Sequence, residues 1–144
     1  MDEKEFSEIV DLIRKEDDRF EKRAYYFLRD ALDFTLKEQQ KKRQRNQETG
    51  NHVNGEDLLK GIRVYALDQF GPMVLTVFKE WRIRCCADFG GMVFNLIEYG
   101  VWSKTEDDKQ EDFFEVYDFD EAFARPFQPS GRSLTEVPVL SSKC

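Results

Sequence analysis

The chain has 144 residues, of which 40% are hydrophobic and 35% charged, and its formal net charge is −7. This size and composition allow the burial of one domain core, which favours a folded domain over a disordered chain. No apolar run approaches the roughly 20 residues of a membrane-spanning helix, and the acidic N-terminus is unlike an export signal, so we expect a cytoplasmic protein without a membrane partner.

Two amphipathic helices are predicted at the N-terminus. In the first, apolar residues recur with helical spacing at Phe6, Ile9, Val10 and Ile13. The acidic pair Asp17-Asp18 ends this helix, and a second one follows from Phe20 into a basic stretch at 37–45, whose cations suit a helix C-terminus. We therefore expect an N-terminal helix at 1–19, followed by a core helical domain at 20–124.

Three further helices are predicted between residues 54 and 100. Asn54 is a candidate N-cap, and Gly71-Pro72 ends one helix and begins the next. Asp88 is the candidate N-cap of a helix that stops at Gly100 and is apolar on most of its circumference. Such a helix is expected at the centre of the core.

The segment after Gly100 combines strand-like sequence with most of the net charge. Residues 101–104 and 113–119 are aromatic and β-branched runs separated by a charged turn, which predicts a β-hairpin. Residues 104–124 contain nine acidic residues and two lysines, which gives this segment a charge of −7. Prolines interrupt the sequence at 125–144, where we expect an extended or mobile tail.

The predicted fold class is α+β and mainly α, a helical bundle with a small C-terminal β-hairpin. The order of its last helices and the hairpin is that of a winged helix, with 88–99 in the position of the recognition helix and 106–111 as the wing.

Four sequence stretches stand out together in this order. They are HVNGEDLL at 52–59, YALDQFGPM at 65–73, DFGGMVFNL at 88–96, and SKTE at 103–106 leading to VYDF at 116–119. Over residues 20–127 they resemble a small bacterial family of conserved hypothetical proteins, found in planctomycetes and verrucomicrobia. The resemblance implies no activity, substrate or ligand. In that family an acidic residue is common at the position of Gly91, where it would complete a capping box with Asp88, so we expect Gly91→Glu to stabilise the protein.

The sequence contains no recognisable catalytic, cofactor-binding or metal-binding set. His52 is the only histidine and has no patterned partner for nucleophilic catalysis. The acids at 106–112 lack the glycine of an EF-hand loop, and the adjacent Cys85 and Cys86 lack Cys-x-x-Cys spacing. We therefore expect no cofactor and favour a protein without enzymatic activity. An enzyme with an unrecognised carboxylate or His52 site is left open.

The leading functional hypothesis is a non-enzymatic protein-interaction or adaptor module. Aromatic residues are interleaved with the acids of the segment 104–124; aromatic side chains can anchor an interface, while carboxylates steer a basic protein partner toward it. The predicted contact residues are Asp107, Asp108, Glu111, Phe113 and Tyr117.

The alternative hypothesis is a winged-helix nucleic-acid-binding protein. The stretch 88–99 contains no Lys or Arg, and the predicted wing is acidic, so the phosphate contacts would fall to Arg82, Arg84 and Lys104. The sequence therefore favours a protein partner over nucleic acid. It does not determine the oligomeric state.

Overall fold

A computed structural model describes residues 1–46 and 52–128, and within these ranges the chain is mainly helical. The α-helices are α1 (Glu3–Glu16), α2 (Lys22–Asn46), α3 (Gly55–Phe70), α4 (Val74–Glu80) and α5 (Cys86–Glu98). Short 3-10 turns cover Gly71–Met73, Gln110–Phe113 and Arg125–Phe127, and one π-helical turn covers Asp120–Ala124. None of the helices in these two ranges combines the length and apolar character needed to cross a bilayer. Most of the expected tail, residues 129–144, lies outside the described residues.

The predicted β-hairpin is wrong, and the winged-helix topology is wrong with it. Residues 101–104 and 113–119 form no strand, nor does any other described residue. Three aspartates accept backbone N–H groups three residues away: Asp108 from Thr105, Asp112 from Lys109, and Asp118 from Glu121. Such local bonds compete with the ladder between two strands, and they turn the backbone instead.

Helix α5 lies at the centre of the core, as its composition predicted. Its buried residues occupy most of its circumference: Cys86, Phe89, Gly90, Gly91, Met92, Val93 and Leu96. The Phe89 ring meets Phe78 of α4 edge-on, with ring centroids 5.4 Å apart, and Phe78 meets Phe123 in the same way at 5.3 Å. Edge-to-face pairs of this kind add to the stabilisation that comes from burial.

Helix α5 begins two residues before the predicted N-cap. Cys85 holds the N-cap position, and Asp88 lies in the first turn, where its Oδ2 accepts the Arg84 backbone N–H at 2.7 Å. Gly91 is therefore a buried residue of the helix interior, with Arg19 Nη2 3.3 Å from the place of a Cβ. The capping-box reason for stabilisation by Gly91→Glu is wrong, because Asp88 is not the N-cap.

Helices α2 and α3 come into close contact at Gly61. Thr35 of α2 is buried, and its hydroxyl donates to the Ala31 carbonyl at 2.7 Å. A Cβ on Gly61 would overlap Thr35 Oγ1 and lie 2.9 Å from Thr35 Cβ. The side chain at position 61 must therefore be a hydrogen atom for the two helices to pack as they do.

Asp17 ties the junction between α1 and α2 to α5. Arg19 binds both carboxylate oxygens, with Nε–Oδ1 at 2.8 Å and Nη2–Oδ2 at 2.7 Å. From α5, Asn95 Nδ2 donates to Asp17 Oδ2 at 2.9 Å and to the Tyr25 hydroxyl at 3.1 Å. The hydrogen bonds from Arg19 hold the pKa of Asp17 well below its usual range, and Asn95 adds to them against the opposing effect of partial burial.

We expect the stabilisation from Asp17 to be lost at acid pH. Because its pKa is lower in the folded state than the value of about 3.9 in an unfolded chain, the contribution is complete well above that value and is lost progressively as the pH falls from there toward the folded-state pKa. The free energy of unfolding of Asp17→Asn should lie about 1 kcal/mol below that of the natural protein at pH 5–7, a small value because the Arg19 partner is largely exposed. Urea unfolding from pH 7 to 3 measures this difference. A gap that stays constant down to pH 3 would contradict the assignment.

Candidate protein-interaction site

The acidic loop, defined as residues 104–118, is held to the helices by Phe113. This side chain is only 4% exposed. Its ring and Cβ lie between two glycines: a Cβ on Gly90 of α5 would be 2.7 Å from Phe113 Cβ, and a Cβ on Gly55 of α3 would be 2.9 Å from Phe113 Cε2. The ring also meets Phe94 of α5 edge-on, with centroids 6.3 Å apart. The two glycines thus form a slot into which the loop inserts an aromatic anchor.

Asp108 shapes the first turn of the acidic loop. Its Oδ2 accepts the backbone N–H of Thr105 at 2.8 Å and the Thr105 hydroxyl at 3.2 Å, and its Oδ1 lies 3.1 Å from His52 Nε2. Burial alone would raise the pKa of Asp108, but the hydrogen bonds from Thr105 and His52 outweigh it, and the pKa is lowered. Asp108 is therefore ionised at neutral pH, and it joins the loop to the residues before α3.

Tyr117 fastens the end of the acidic loop. Its hydroxyl donates to the Leu59 carbonyl of α3 at 2.7 Å, and burial raises its pKa well above the ordinary value. The Cys86 thiol of α5 donates to the Tyr117 carbonyl at 3.3 Å, and burial also raises the pKa of this thiol. The loop is therefore attached at both ends and in the middle.

Between these attachments the loop presents Phe114, which is 51% exposed, to solvent. Phe114 and Val116 line a concavity of about 730 Å³, which we call the acidic concavity. Four carboxylates share its wall, those of Glu56, Asp107, Asp108 and Asp112.

The structure divides the predicted interaction residues into two groups. Asp107 and Asp108 line the acidic concavity, and Glu111 is exposed on the same loop. Phe113 and Tyr117 instead face the helices and hold the loop in place. Sequence reasoning missed Phe114, because two consecutive phenylalanines give no indication of which one faces the core.

The three predicted nucleic-acid contacts are not brought together. Arg82 and Arg84 line a groove beside the link between α4 and α5. Lys104 lines a separate cavity of about 340 Å³, where its Nζ lies 5.5 Å from the centre of the Phe94 ring. The helix in the predicted recognition position, α5, is mostly buried.

The polar groups around His52 do not have the order of a catalytic triad. The Asp108 carboxylate lies between the imidazole and the Thr105 hydroxyl, whereas nucleophilic catalysis places the imidazole between carboxylate and nucleophile. Among the described residues, no three potential metal ligands converge.

No protein-family model matches the chain, and no curated protein or solved structure matches it either. The resemblance to the bacterial family therefore stays a prediction.

Proposed function

We propose that the chain is a non-enzymatic protein-interaction module, and that its acidic concavity binds a basic segment of a partner protein. The observation that carries the proposal is the placement of Phe114. This half-exposed aromatic ring lies among four carboxylates, while the adjacent Phe113 is buried and fixes the loop.

An aromatic residue of this kind favours association once it is covered. Its ring brings a large apolar area to an interface and loses little conformational entropy, since it has only two side-chain torsions. The carboxylates attract lysine and arginine at long range, which raises the association rate more than the affinity. Because Phe113 and Tyr117 already hold the loop, little ordering remains to oppose binding. The expected partner segment carries several cations and an apolar side chain that covers Phe114.

Site-specific photo-crosslinking tests the proposal. A photoreactive phenylalanine analogue at position 114, in cells that naturally make the protein, should crosslink to a partner segment rich in Lys and Arg. The same analogue at Val64 is the matched control, because this α3 side chain is 56% exposed. Identical partners at both positions, or a Phe114 partner segment without cations, would contradict the proposal.

Charge reversal provides a second arm of the test. Asp107 lines the concavity, is exposed and forms no ion pair within the described ranges, so Asp107→Lys leaves the loop's own hydrogen bonds intact. We expect it to reduce the yield of the Phe114 crosslink several-fold. Glu8→Lys, at an exposed position of α1, changes the net charge equally and should leave the yield unchanged.

A further inference from the structure

A second concave surface of the molecule gathers cations. It lies where the α1–α2 junction meets the link between α4 and α5, and it encloses about 620 Å³. Four cationic side chains line it, that of Arg19 from the α1–α2 junction and those of Lys79, Arg82 and Arg84 from the end of α4 and the link after it. We call it the basic groove. With the three carboxylates that also line it, the formal charge of the lining is +1, whereas that of the chain is −7.

Three carboxylates also line the basic groove, and two of them have backbone partners. Asp88 Oδ2 accepts the Arg84 backbone N–H at 2.7 Å, and Asp118 Oδ2 accepts the Glu121 backbone N–H at 3.1 Å. The third is Asp120.

The cations of the groove are only partly neutralised. Arg19 pairs with Asp17, and Arg82 lies 3.8 Å from Glu21, a long contact between two well-exposed side chains. In the part of the chain that the structure describes, no carboxylate lies within 4 Å of the Lys79 ammonium group or of the Arg84 guanidinium group. Cationic capacity therefore remains for an anion from outside.

Arg82 occupies a backbone position that favours glycine. The Ile83 N–H bonds to the Phe78 carbonyl at 2.9 Å, and the Arg82 N–H bonds to the Lys79 carbonyl at 3.0 Å. This pair of hydrogen bonds is the Schellman motif that ends a helix, and it places Arg82 at φ = +64°. The arginine therefore opposes the local backbone preference, while its side chain contributes to the groove.

The groove also has an apolar floor. Phe20, Ile83 and Phe119 lie at its base and are almost fully buried, and the half-buried Leu75 adds apolar surface that a ligand can reach. Its volume falls within the usual range of small-molecule sites, roughly 300–1,000 Å³. Guanidinium groups bind phosphate oxygens through two parallel hydrogen bonds, and a dianion gains more from several cations than a carboxylate does. We propose that the basic groove binds a phosphate monoester whose body is aromatic or apolar.

A small ligand fits this surface better than a nucleic acid. A continuous phosphate backbone would have to pass the carboxylates of Asp88, Asp118 and Asp120, whereas a single phosphate group needs to meet only the cations. This inference is independent of the acidic concavity, because the two surfaces share no lining residue.

Titration of the ¹⁵N-labelled, 144-residue chain tests the inference. The probes are phenyl phosphate, adenosine monophosphate, inorganic phosphate and a short single-stranded RNA, with adenosine as the uncharged control. We expect the two monoesters to shift the amide signals of residues 79–88, phosphate to do so more weakly, and adenosine not at all. The dissociation constant of the monoesters should rise about tenfold in Arg84→Gln, because a hydrogen bond between charged groups is lost.

Arg82→Gly separates binding from folding. The substitution removes a cation and relieves the backbone strain at φ = +64°. The variant should therefore unfold at a higher urea concentration than the natural protein, while its dissociation constant for the monoesters should be about tenfold higher. Lys37→Gln on α2, outside the groove, is the control and should bind normally. Three results would overturn the inference: no shifts with either monoester, unchanged affinity in both arginine variants, or shifts produced only by a single-stranded RNA.

Discussion

Gly61→Ala is expected to lower the free energy of unfolding by about 3 kcal/mol, as in other overpacked cores. The added methyl group would overlap Thr35 Oγ1 where α2 and α3 meet. The intrinsic helix propensity of alanine favours the opposite outcome by about 1 kcal/mol, so a clear loss of stability can come only from the packing. Urea unfolding measures the change.

Two variants control for other causes. Gly91→Ala is also a buried glycine substitution within a helix, but its Cβ would lie tightly only against Arg19 Nη2, at 3.3 Å, with Phe20 Cε2 at an ordinary 3.9 Å. The Arg19 side chain is 61% exposed and can shift by the few tenths of an ångström required. It should be neutral or stabilising by up to about 1 kcal/mol. Combining Gly61→Ala with Thr35→Ala removes the overlapping hydroxyl, so the double variant should be about 1 kcal/mol more stable than additivity predicts. Strict additivity, or a stable Gly61→Ala, would contradict this helix contact.

Phe113→Ala should lower the free energy of unfolding by about 3 kcal/mol or more, the usual range for a buried phenylalanine. The loss comes from emptying the slot between Gly55 and Gly90. Phe114→Ala removes the same atoms from a half-exposed position and should change stability by no more than about 0.5 kcal/mol. Urea unfolding of the two variants makes the comparison. Equal losses of unfolding free energy would contradict the burial of Phe113 and the exposure of Phe114.

The helices and the central place of α5 could be predicted from the sequence because both depend on regular spacing. The side chains of Phe6, Val10 and Ile13 recur at the helical period and are all buried. Asn54 acts as the predicted N-cap, with its Oδ1 accepting the Asp57 N–H at 2.8 Å. Gly71 ends α3 at φ = +51°, a conformation that suits glycine.

The acidic loop could not be predicted in the same way. Its aromatic residues have strand-like composition, but composition does not show whether a neighbouring strand exists to receive their hydrogen bonds. Backbone N–H groups of the loop donate instead to the side chains of Asp108, Asp112 and Asp118, and each of these aspartates lies three residues from its donor. An aspartate three residues from its N–H donor is typical of a turn, but the aromatic and β-branched pattern of the same segment favours a strand.

The interaction site depends on contacts between residues distant in sequence. Phe113 is buried because Gly55 and Gly90 leave room for it, and these glycines lie 58 and 23 positions before it. A glycine within a helical pattern was a partial clue, since such a residue commonly permits close packing. The partner that fills the space cannot be identified from spacing alone. The same holds for Gly61 and Thr35.

The division of roles between Phe113 and Phe114 is tested most directly by aromatic NMR. Nuclear Overhauser contacts should join the Phe113 ring to the α-protons of Gly55 and Gly90, and a soluble paramagnetic agent should broaden the Phe114 ring signals and spare those of Phe113. Contacts from the Phe114 ring to these glycines, together with broadened Phe113 ring signals, would show that Phe113 and not Phe114 faces the acidic concavity. That result would remove the basis of the proposed interaction site.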